Sequence, residues 1–148
     1  MEITLFKKIV NEAFKAKQFV KRGAYYYREG EDCICIVGIQ RSSYSNGYYV
    51  SVGFALKKLH ADQTKLKDTD GDVRARFSYD SAGETTDFYD LDKLSADCES
   101  SVSESFRKNI DELVEPALQP NGLKVLLARR PVLLYQTTLA AKQLLGLE

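Results

Sequence analysis

Between Asp32 and Leu56, two apolar runs flank a polar stretch that ends in Asn46-Gly47. Asn-Gly accepts the positive φ values of a type I′ turn, so the pattern predicts a β-hairpin with a two-residue turn. Counting outward from that turn, Ser45 faces Tyr48, Arg41 faces Val52, Ile39 faces Phe54 and Val37 faces Leu56. Side chains alternate along a strand. One face therefore collects Cys33, Cys35, Val37, Ile39, Val52, Phe54 and Leu56, which is a core face. The other holds Ile34, Ile36, Gly38, Gln40, Tyr49, Ser51, Gly53 and Ala55. On it Gly38 falls opposite Ala55 and Gln40 opposite Gly53, leaving a trough of small residues. Either another element packs into such a trough or a ligand enters it, and the sequence favours the packed element.

Elsewhere the period identifies the partners of this hairpin. Ile3, Phe6, Ile9, Val10, Ala13 and Phe14 recur at helical steps and predict an amphipathic first helix ending near Lys17. After the break at Gly23, Ala24 to Arg28 reads as an aromatic strand, and Gly30-Glu31-Asp32 turns it into the hairpin. Val73 to Tyr79 alternates and predicts a fourth strand, and Asp87 to Leu91 is a candidate fifth. Asp80 to Thr86 between them is rich in turn residues. From Ser95 the period is helical again, with Cys98, Val102, Phe106, Ile110, Leu113, Val114 and Ala117 on one stripe. Ser101 and Glu104 have capping-box spacing. Pro116 kinks or ends this helix, and Gln119-Pro120-Asn121-Gly122 stops it. Leu123 to Leu127 starts a short apolar helix or turn broken before Pro131. Thr137 or Thr138 caps a last helix closed by Gly146. The expected fold is α+β: an antiparallel meander of four to five strands with an N-terminal helix and C-terminal helices packed mainly on one face, in a single domain over 1–148.

Composition narrows the classes of function. The chain has 21 basic and 21 acidic residues among 148, so the excess positive charge of a nucleic-acid binder is missing, and no nucleic-acid partner is expected. The local pairs Lys7-Lys8, Lys57-Lys58 and Arg129-Arg130 read as solvated faces. No apolar run approaches the length of a membrane span, so no membrane partner is expected, and no signal peptide is apparent. Cys33 and Cys35 share a strand face and read as buried thiols rather than a disulfide framework, which fits a reducing, cytoplasmic setting. With one histidine, His60, a zinc site lacks ligands; neither metal nor cofactor is expected. Asp68-Thr69-Asp70-Gly71-Asp72 resembles the start of a calcium loop, but its twelfth position is Tyr79 where a glutamate is required. The segment reads instead as a solvated turn.

Four phrases carry a resemblance: Phe19-Val-Lys-Arg-Gly-Ala-Tyr-Tyr-Tyr-Arg-Glu29, Ile36-Val-Gly-Ile-Gln-Arg-Ser42, Tyr48-Tyr-Val-Ser-Val-Gly-Phe54 and Asp72-Val-Arg-Ala-Arg-Phe77. With the order of elements, they resemble an uncharacterised, mostly bacterial family known as domain of unknown function 4304. The chain departs from it at Gly38, where a polar residue such as asparagine is expected, and in the loop at 57–72. The resemblance implies the fold and a cytoplasmic setting. It brings no catalytic residues.

No nucleophile motif, phosphate loop or paired acid and base is legible, and His60 reads as a surface residue. The most suggestive binding residues are Arg28, Gln40, Arg41, Tyr44, Arg74 and Arg76, which a meander would gather at one polar edge. Arginine with amide and aromatic neighbours suits an anionic ligand or a protein contact. The plainer alternative pairs these arginines with Glu29, Glu31 or Asp72. Tyr25, Tyr26, Tyr27, Tyr44, Tyr48 and Tyr49 add aromatic surface, about half of it pointing away from the core. The expected function is non-enzymatic: a cytoplasmic protein-interaction domain, by analogy a toxin-neutralising immunity-type protein. The alternative is an enzyme or binding protein for a small anionic ligand in the trough.

Overall fold

The protein is described by a computed structural model covering every residue except Thr64, Ala82 and Glu148. Helix α1 (Ile3–Ala16) buries Phe6, Ile9, Val10 and Phe14, the stripe that its apolar period lays along one side. Five antiparallel strands follow as a meander: β1 (Val20–Arg22), β2 (Tyr25–Glu29), β3 (Cys33–Arg41), β4 (Gly47–Leu56) and β5 (Val73–Arg76). The expected fourth strand stops at Arg76, and a separate hairpin, β6 (Tyr79–Ser81) and β7 (Glu84–Thr86), takes up Tyr79 and the stretch expected to be a loop. Ala82, between the two strands, lies outside the described residues. Strand β8 (Phe88–Asp90) then returns to the main sheet. It shares one edge of β4 with β5, β8 pairing with Gly47–Tyr49 and β5 with Ser51–Phe54. The sixth strand beyond expectation is β1, three exposed residues with no alternation to announce them.

The central hairpin forms with a different register. Arg41 pairs with Tyr48, Ile39 with Val50, Val37 with Val52 and Cys33 with Leu56. Neither Asn46 nor Gly47 has positive φ. Ser42 to Asn46 form a wider loop, closed by the Ser42 amide donating to the Gly47 carbonyl at 3.0 Å. The Ser42 hydroxyl accepts from the Tyr44 and Ser45 amides, which supplies the local turn chemistry. Asn46 is drawn away to the far edge, its carbonyl accepting from the Leu91 amide and its side chain donating to Asp92. Each strand residue thus meets a partner four positions from the expected one. An even slip keeps every side chain on its face, whereas an odd one would invert them all. The core face is as expected.

The α-helices pack on that face. Helix α2 (Glu99–Asn109) continues through a π turn (Ile110–Val114) into α3 (Glu115–Leu118), followed by α4 (Gly122–Arg129), a 3₁₀ turn (Pro131–Gln136) and α5 (Leu139–Leu145). Pro116 lacks an amide to donate and its ring crowds the preceding turn; the widened π turn lies just before it and lets the helix go on. The expected capping box is absent because α2 begins at Glu99. Ser101 instead donates to the Cys98 carbonyl, and Glu104 pairs with Arg107. Thr138 does cap α5, accepting from the Ala141 amide at 3.2 Å, and Gly146 closes it with φ of 70°. Phe106 is the hub of the core, its ring 5.2 to 6.2 Å from those of Phe6, Phe14, Phe77 and Tyr89.

Cys33 and Cys35 lie fully inside this core, while Cys98 is half-buried; all three are free thiols. Burial pushes the Cys33 thiol up to about 12 and raises Cys35 well above the usual thiol range. Both stay protonated in the fold but ionise near 8.5 when unfolded. Their contribution to stability is therefore complete below that pH and is lost as pH rises towards 12. Native protein at pH 8 should react with a thiol reagent at Cys98, and at Cys33 and Cys35 at least about 100-fold more slowly. Equal rates at all three would mean that the sheet–helix core opens readily.

Candidate functional site

The sheet's second face decides where a partner can sit, because among the described residues no α-helix joins its apolar cluster. Part of it is covered by the loop at 57–72. Leu66 packs with Ile34, Ile36 and Ala55, flanked by Tyr25 and Tyr27, and the Tyr27 hydroxyl donates to the Leu66 carbonyl at 2.6 Å. A Cβ on Gly53 would run into the Asp68 carbonyl and one on Gly38 into the Asp68 carboxylate, and Gly71 lies directly on Gly53. The trough of small residues is therefore filled by the chain's own Asp68–Gly71 segment. What reads as a solvated turn is a packed 3₁₀ turn (Asp68–Asp70), with the Asp70 carboxylate accepting from the Lys67 amide. His60 belongs to the same cover. Its Nε2 lies 2.9 Å from Asp72 Oδ2, and buried Asp72 also accepts from the Leu56 amide. His60 is thus a clasp between loop and sheet rather than a surface residue. Among the described residues no hydroxyl or thiol hydrogen-bonds its ring.

The six candidate binding residues separate into distinct places. Arg28 lies on the helix side, where its guanidinium forks onto the Glu115 carboxylate, with Nη2 to Oε2 at 3.1 Å. It ties β2 to α3. Arg41 stands at the end of the sheet beside Glu2, Asn46 and Asp92. Tyr44 is fully exposed at the tip of the hairpin loop. Gln40, Arg74 and Arg76 do come together, on the second face. None of these arginines takes Glu29, Glu31 or Asp72 as partner: Glu29 pairs with Lys57, Asp72 with His60, and Arg76 with Asp87 at 3.0 Å. Among the described residues Arg41 and Arg74 have no ion-pair partner. The tyrosines divide as alternation requires, Tyr26 and Tyr48 into the core and Tyr25, Tyr27 and Tyr49 half-buried on the second face.

The grouped residues line an open groove of about 540 Å³. Gln40, Ser51, Arg74, Ala75 and Arg76 form its sheet side; Val132, Leu133, Tyr135 and Gln136 form the other. The two sides are held together by the antiparallel bridge between Val73 and Thr137 and by the Thr138 amide donating to the Asp72 carbonyl at 2.8 Å. Arg76 is fixed. Its guanidinium lies 4.3 Å above the centre of the Tyr49 ring, which in turn meets the Phe88 ring at a tilt, 4.9 Å between centres. Tyr135 is 87% exposed and Val132 69% exposed. Such large side chains standing free at a groove rim are the feature that sequence reading missed. Pro131–Gln136 lacks an amphipathic period, so nothing in it says which residues face water.

Charge is also less evenly spread than the zero net value suggests. Residues 80–115 hold eleven acids and three bases, whereas 116–147 hold four bases and no acid.

A sequence profile for a domain of unknown function, DUF4304, matches residues 10–120. The chain belongs to this family. The DUF4304 match takes in the second half of α1, the whole sheet and the helices through α3; the Val132–Gln136 side of the groove lies beyond it. No curated protein and no solved structure matches the chain. Among the described residues no helix is long and apolar enough to cross a membrane.

Proposed function

We propose that this DUF4304 protein is a non-enzymatic protein-interaction domain, and that its contact surface is the groove between β5 and the Pro131–Gln136 turn. The observation that carries the reading is the exposed Tyr135 and Val132 beside Arg74 and Arg76. Tyrosine and arginine are the side chains that dominate protein contacts, because each joins a large stacking area to directional hydrogen bonds. The filled trough adds support, since the small-residue surface that a ligand would enter already holds the Asp68–Gly71 segment.

A photo-cross-linking amino acid at position 135 tests the proposal in cells that naturally make the protein. The expected result is a discrete adduct with one protein, lost when Arg74→Ala is added. The same group at exposed position 103 on α2 should give no such adduct. Absence of a product at 135, or the same products from both positions, would overturn the reading.

A further inference from the structure

We infer that the occupant of this groove is an extended acidic segment of a partner protein, with carboxylates two residues apart meeting Arg74 and Arg76; this rests on the protein-interaction reading above. Arg74 and Arg76 are two apart on one strand and point to the same face, opposite Gly53 and Ser51. Their spacing along β5 is roughly 6.6 Å, twice the rise per residue of a strand. An extended chain repeats its side chains at that same interval, whereas residues two apart on a helix point in different directions.

The groove's charge is one-sided. Its lining has two arginines and no carboxylate, and the turn that forms its other side belongs to a stretch without acids. Arg74 has no ion-pair partner among the described residues. Arg76 is held against Tyr49 and by Asp87, so its remaining donors are presented with little rotamer freedom left to lose. A carboxylate is the planar acceptor that matches a guanidinium fork. Gln40, Ser51 and Gln136 supply amide and hydroxyl groups for a peptide backbone, and Val132 and Tyr135 can cover an apolar side chain of the segment. Phosphate also matches arginine, but a nucleic-acid strand would meet only two arginines here, in a chain of zero net charge.

The test is fluorescence anisotropy with a labelled twelve-residue peptide of alternating glutamate and threonine. Saturable binding is expected, weakening as salt rises. Arg74→Ala, a substitution at an exposed side chain that should leave the circular dichroism unchanged, should weaken binding about tenfold or more. Arg74→Lys should restore part of it. A lysine–threonine peptide should not bind. Equal affinity in Arg74→Ala overturns the site. Equal binding of the lysine peptide, tighter binding of oligothymidylate, or full displacement by citrate at the peptide's own concentration overturns the acidic-segment assignment. A cross-linked partner at position 135 with no glutamate-peptide binding leaves the protein-interaction reading standing and removes this inference. Arg74-dependent peptide binding without any adduct would overturn both, because the acidic occupant would then not belong to a partner protein.

Discussion

Phe106→Ala should lower the unfolding free energy by about 3–5 kcal/mol, and the melting temperature by roughly 6–20 °C for a domain of this size. The ring sits at zero exposure where α1, α2, β8 and the chain just after β5 converge, in contact with Phe6, Phe14, Phe77 and Tyr89. Removing it leaves a cavity between elements tied together on several sides, so collapse around the gap is limited and the lost contacts are not regained. Urea unfolding measures the effect, with an unchanged denaturant slope showing that both states keep their exposed surface. Phe88→Ala, which strips a half-buried ring from the second face, should cost far less. A Phe106→Ala loss below about 1 kcal/mol would place the centre of the core elsewhere.

Gly47→Val and Gly47→Asn should both be damaging, each by roughly 1–3 kcal/mol or more. A Cβ at this position would fall on the Phe88 ring and the Tyr89 carbonyl, where β8 lies against the start of β4. The pair of substitutions separates two reasons for the glycine. A type I′ turn would accept asparagine, which tolerates positive φ, and would reject valine. Crowding against a neighbouring strand rejects both. If Gly47→Asn melts like the parent while Gly47→Val does not, the five-residue loop and the register it sets are wrong.

That contrast shows what a local signal can and cannot carry. Asn46-Gly47 correctly marks the end of a strand, but a two-residue turn is only one way to end it. The choice was made by β8, whose Tyr89 pairs with Tyr48 from more than forty positions away. Similarly, Gly38, Gly53 and Ala55 are legible as a place where something approaches closely. That the visitor is Asp68–Gly71 is a matter of loop closure, and that polar loop carries no period to announce a packed conformation. The site residues follow the same rule. Gln40, Arg74 and Arg76 share a groove because strand parity puts them on one face, which the sequence does display. Arg28 was separated from them by the same parity and taken up by Glu115, a partner that only the position of α3 could supply.

The apolar periods alone thus determine the α+β class, the stripe of every long helix and the face of every residue in the central hairpin. Those features depend on the repeat of one element and on large burial energies, and parity protects them even when the register slips by four. Strand register, the loop covering the second face, the pairing of each arginine and the exposure of Tyr135 depend on distant segments meeting. Polar residues such as Arg28 and Arg74 look alike in the chain, and the free energies that separate their possible partners are small. Only the assembled fold, by bringing Glu115 to one and leaving the other facing an open groove, makes them different.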